Sequence, residues 1–137
     1  MQNSKVLRGY LIIAGALLTF IGGAQLLFPV AMKASSGIDL AGNISVINDI
    51  RAANALILAV ALLSHTGAFV KRFTFTSSLV VPLLFLSLAT GRIISILLDG
   101  MPVEGMLGAT GLEVILGLIG AVFFTRYQEK GVAVNAV

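Results

Sequence analysis

Residues 74–98 read TFTSSLVVPLLFLSLATGRIISILL. A helix needs about 20 apolar residues to cross a bilayer, and this run supplies them, yet Arg92 stands inside it. The next run, residues 105–124, reads GMLGATGLEVILGLIGAVFF and carries Glu113. An ionised side chain at the centre of a bilayer costs roughly 3 kcal/mol or more unless it is paired. Nothing in the local composition asks for either charge. An arginine and a glutamate in such places are expected to be partners of one another, or of something that comes and goes.

Two further runs lie upstream, at residues 10–32 and 50–70. The whole chain of 137 residues is 58% hydrophobic and 11% charged, against roughly 25% charged in a soluble domain. Its mean hydropathy is +1.03. The expected fold is therefore all-α: an integral membrane four-helix bundle, with residues 1–137 as a single membrane domain. The spans are read at about 10–32, 50–70, 74–98 and 105–124. The short links Lys71 to Phe73 and Asp99 to Glu104 make the last three spans antiparallel neighbours. Asp49 is read as the acidic start of the second span. Asp99-Gly100-Met101-Pro102 is a turn, with Pro102 suited to open the next helix. The first run has some features of a cleaved signal peptide, with Lys5 and Arg8 before it and Gly22-Gly23-Ala24 within it. It continues too far, through Leu26-Leu27-Phe28-Pro29-Val30, and is read as a span.

Several chemistries are excluded. Cysteine is absent, so there is no disulfide, thiolate nucleophile or cysteine-ligated metal. The single histidine, His65, cannot build a metal site alone and reads as a helix contact. The net charge of +3 comes from the ends and one short loop, which does not suit a nucleic-acid backbone. Lys5, Arg8, Lys71, Arg72, Arg126 and Lys130 fall on one side of a four-span chain. The other side has Lys33 with Asp39, Asp49, Asp99 and Glu104. By the positive-inside rule both termini are expected in the cytoplasm.

Placed by depth, the intramembrane polar residues converge on the outward half. Gln25 ends the first span, and Arg51 and Asn54 open the second. Arg92 and Ser95 close the third and share a helical face with Asp99. Glu113 lies about two turns into the fourth. Small residues in rows let helices approach closely: Gly105, Ala109, Gly117 and Ala121 flank Glu113, Gly15, Thr19 and Gly23 form a row in the first span, and Ala55 and Ala59 follow Arg51. The inner half carries Ser64, Thr66, Ser77 and Ser78, small hydroxyls able to bond their own helix.

The stretch Gly91-Arg92-Ile93-Ile94-Ser95-Ile96-Leu97-Leu98-Asp99-Gly100-Met101-Pro102 resembles the domain-of-unknown-function 4345 family of small four-span bacterial membrane proteins. Arg51 and Asn54 in Asp49-Ile50-Arg51-Ala52-Ala53-Asn54, and Glu113, fit the same pattern. The resemblance spans nearly the whole chain, with a more distant likeness to DoxX-like membrane proteins. It implies a multi-pass protein of the bacterial inner (cytoplasmic) membrane and supplies no reaction.

The expected function is binding of a small amphipathic ligand, a lipid headgroup or a partner helix. The residues expected to form this ligand-binding or buried polar network are Gln25, Arg51, Asn54, Arg92, Ser95, Asp99 and Glu113. The alternative is a small proton-coupled transporter acting as a dimer, with Glu113 as the titrating group. A membrane enzyme with Glu113 or Asp99 as acid or base ranks last, for want of a nucleophile–base pair. No catalytic residue, metal or cofactor is expected. The expected partners are membrane lipid, an amphipathic small molecule, a partner membrane protein or a second copy, and not nucleic acid.

Overall fold

The first apolar run breaks before its hydropathy does. A proline disfavours helical backbone in the residue before it, and Phe28, before Pro29, has φ −125° and ψ 54°. Helix α1 therefore ends at Leu27, and a short second helix, α2, runs Pro29–Ala34 with the buried Pro29 in its first turn. The computed structural model describes the backbone of residues 5–135 and the side chains of residues 5–128. Lys130, counted above in the basic flank, lies outside the described side chains. After α2 the chain forms α3, Ile44–Phe69, α4, Lys71–Asp99, and α5, Glu104–Asn135.

Helix α3 begins earlier than the apolar pattern implies. The Asn43 side chain caps it, accepting from the Val46 amide at 3.2 Å. Asp49 thus lies beyond its first turn, where it cannot complement the helix terminus. The α3–α4 link is Val70 alone, in extended conformation. Lys71 and Arg72, read above as a loop, are the first residues of α4. The α4–α5 turn forms at Gly100, whose φ of 100° suits glycine, and α5 starts at Glu104.

Four of these helices, α1, α3, α4 and residues Glu104–Gln128 of α5, are long and apolar enough to cross a membrane. Helix α1 packs mainly on α3, α3 on α4 and α4 on α5, while α1 meets α5 only thinly. The shared core is Leu7, Leu11, Ala14 and Leu18 of α1, Val60 and Ala61 of α3, and Val81 and Phe85 of α4. The thin α1–α5 seam is closed by Tyr10, which donates to the Leu116 carbonyl at 3.0 Å and meets Phe123 edge-on.

Lipid is as apolar as leucine, so close packing and interhelical hydrogen bonds must hold such helices together. Two of the four inner hydroxyls read above do this across helices and not along their own. Ser64 donates to the Leu11 carbonyl at 2.7 Å and Ser77 to the Leu63 carbonyl at 2.7 Å. Thr66 and Ser78 bond their own helices. Close approach depends on a few glycines. A Cβ at Gly67 would collide with Ser77, and one at Gly120 with the Tyr10 hydroxyl. One at Gly117 would sit 2.6 Å from Leu86. The row Arg51, Ala55 and Ala59 does not serve packing, since all three are exposed.

Candidate anion site

Arg92 and Glu113 meet between α4 and α5. The Arg92 Nε–H donates to both carboxylate oxygens of Glu113, at 2.9 Å to Oε2 and 3.2 Å to Oε1. Antiparallel neighbours joined by a short turn bring Arg92, seven residues before the end of α4, level with Glu113, nine residues into α5. Glu113 is nearly closed off, its side chain 12% exposed, whereas Arg92 keeps 32%. The ion pair uses one edge of the guanidinium. Its two terminal nitrogens, Nη1 and Nη2, have no partner among the described residues. These are four of arginine's five donors, in the fork that matches carboxylate or phosphate.

A second cation stands on α2. Lys33 is half-buried on α2, and burial together with the charge of Arg92 pushes its ammonium below the ordinary lysine value. Its backbone is held by the turn that follows α2. The Lys33 carbonyl accepts from Ser36 at 3.0 Å and from Ile38 at 2.9 Å, around Gly37 at φ 75°. Sequence reasoning passed over Lys33 as a loop residue. Only Phe28-Pro29 signalled that the chain turns there and lays α2 against α1 and α3.

The other expected site residues divide. Ser95 donates to Asp99 at 2.9 Å, on the exposed face of α4. Asn54 is buried, and its Nδ2 donates to the Ile50 carbonyl of its own helix at 2.8 Å. Its Oδ1 is buried without a partner. Gln25 is half-buried and its side chain makes no hydrogen bond among the described residues. Arg51 is exposed and unpaired among the described residues. His65 packs over Gly15 and lies 3.3 Å from the Thr19 hydroxyl, away from this cluster. No cluster of described residues has the make-up of a metal site.

These features define a class: an all-helical membrane bundle with a half-paired arginine at the α2 end of its transmembrane region. The chain belongs to the family described as Domain of unknown function (DUF4345), whose model matches residues 6–124. No curated protein and no solved structure matches it.

Proposed function

We propose that this is a bacterial inner-membrane protein that binds the anionic head of an amphipathic molecule at Arg92, with Glu113 holding the guanidinium in place. One observation carries the reading: a fork of donors within an apolar span has no partner among the described residues, while the opposite edge of the same group is clamped. An arginine retained within an apolar span for structure alone would be expected to use its whole fork, because unpaired donors in a low-dielectric setting are costly. The basic residues at the opposite end, Lys5, Arg8, Lys71, Arg72 and Arg126, support a cytoplasmic location for that end. The site then faces the outer leaflet.

The test is the lipid that copurifies. Wild-type protein in mild detergent should carry an anionic amphiphile, identified by mass spectrometry of the extract. Arg92→Gln should lose it. Because that variant strands a buried carboxylate, the double variant Arg92→Gln with Glu113→Gln is run beside it. Equal retention by wild type and a folded double variant would contradict the proposal.

A further inference from the structure

We infer that Asp99, oriented by Ser95, reads a hydrogen-bond donor on the ligand's head, and that the ligand is a phosphodiester lipid whose alcohol carries a hydroxyl or an ammonium two carbons from the phosphate. This rests on the anion-binding reading of Arg92 and names the chemistry of its ligand. Arg92, Ser95 and Asp99 belong to one continuous helix, α4. Their spacing of three and four residues places them along one helical face. The free edge of the Arg92 guanidinium stands at the deeper end of that face and a carboxylate at its outer end. The Ser95 hydroxyl donates to Asp99 Oδ2 at 2.9 Å, which turns the carboxylate back along the helix toward Arg92. Asp99 Oδ1 has no partner among the described residues, and no cation there pairs with the carboxylate. An ionised carboxylate can only accept, so the outer end of the face asks for a donor.

Spacing sets the length of the ligand. The rise from Arg92 to Asp99 is roughly 10 Å at about 1.5 Å per residue. A charge-assisted hydrogen bond at each end takes up about 3 Å, which leaves roughly 4–5 Å between the ligand's anion and its donor. A phosphate joined to a hydroxyl or an ammonium through two carbons has that reach. An α-amino acid, whose carboxylate and ammonium share one carbon, is too short. A phosphodiester puts its single negative charge on the Arg92 fork and none beside Asp99, where a second anion would be repelled. Ile94, Leu97 and Leu98, on the same turns of α4, are exposed apolar side chains. They offer acyl chains a surface, which selects a lipid over a free headgroup.

Native mass spectrometry of the full chain in a non-ionic detergent tests this, with four probes. These are dioleoyl phosphatidylglycerol, dioleoyl phosphatidylethanolamine, dioleoyl phosphatidylmethanol, and glycerophosphoglycerol without chains. Phosphatidylmethanol has the charge of phosphatidylglycerol but no donor on its alcohol. Wild type should hold phosphatidylglycerol and phosphatidylethanolamine each about tenfold more tightly than phosphatidylmethanol, the scale of one hydrogen bond to a charged group. Asp99 and Ser95 are exposed, so replacing them leaves the core intact. Asp99→Leu should abolish the preference and Ser95→Ala should narrow it, neither weakening phosphatidylmethanol. A preference that survives Asp99→Leu, while Arg92→Gln with Glu113→Gln loses lipid, overturns the Asp99 assignment and leaves the Arg92 reading standing. Full lipid retention by the folded Arg92→Gln, Glu113→Gln protein overturns both. Wild type that holds phosphatidylmethanol as tightly as phosphatidylglycerol overturns the donor requirement. Glycerophosphoglycerol competing at equal concentration overturns the lipid source.

Discussion

Arg92 grips Glu113 through Nε alone, 2.9 Å from Oε2, and leaves both of its terminal nitrogens without a partner among the described residues. The pair is therefore asymmetric. The carboxylate is enclosed and has no partner beyond this arginine among the described residues, while the arginine has capacity to spare. Removing one partner should accordingly cost more than removing both.

Arg92→Met alone strands a carboxylate that is 12% exposed, and Glu113→Gln alone removes the anchor of the arginine. Coupling between groups in direct contact is roughly 0.5–3 kcal/mol. The double variant should be more stable than the sum of the singles by an amount in that range. Unfolding of the purified protein in a detergent series measures it. Strict additivity would show that the contact contributes nothing.

The glycines sort by what a methyl would meet. Gly67→Ala and Gly120→Ala drive a Cβ into Ser77 and the Tyr10 hydroxyl, so each should destabilise by about 1–3 kcal/mol. Gly108→Ala and Gly111→Ala face open space. These should be neutral or stabilise by up to about 1 kcal/mol, because alanine is the better helix former. Thermal midpoints of the four variants check the ordering.

Lys33 gives a pH dependence of known sign. Its ammonium is held below the ordinary value of 10.5, so on raising the pH it releases its proton in the folded protein before it would in the unfolded chain. In that window the unfolded state binds more protons, and stability rises with pH. Below the window both states are charged and the cost of burying the cation is fully present. Lys33→Met should be the more stable protein at neutral pH and should lose the rise. Thermal midpoints of the two proteins, followed from neutral pH to the ordinary lysine value, measure both effects.

The four long helices were legible because runs of this length and hydropathy have one solution in a bilayer. So was the demand that Arg92 and Glu113 find partners, since each lies in an apolar run on neighbouring helices. What escaped the sequence was direction and detail. Period alone did not say that Asn54 would bond to Ile50 of its own helix, or that Arg51, Ala55 and Ala59 would face away from the bundle. Ser64 and Ser77 reach across to other helices because glycine and alanine bring backbones close, a fact of packing and not of pattern. Lys33 was invisible because a lone lysine after a proline reads as a loop until α2 is seen to dock.

Scaffold and site should separate in variants that keep charge or remove it elsewhere. Ser64→Ala and Ser77→Ala each lose one interhelical bond, worth about 0.6–2 kcal/mol in a membrane bundle, and should still copurify with the anionic amphiphile. Arg51→Gln should change neither stability nor lipid content. Arg92→Lys keeps the charge but lacks the planar fork and should retain less lipid. Lipid extraction with a melting curve for each variant separates the two effects.

The most direct measurement is the nitrogen resonances of the Arg92 guanidinium in nanodiscs, assigned by their loss in Arg92→Lys. In discs containing phosphatidylglycerol the Nη signals should shift and slow in exchange relative to discs of phosphatidylcholine alone. The Nε signal should stay where Glu113 holds it. Nη signals that are the same in both discs would contradict an anion on the free edge of Arg92.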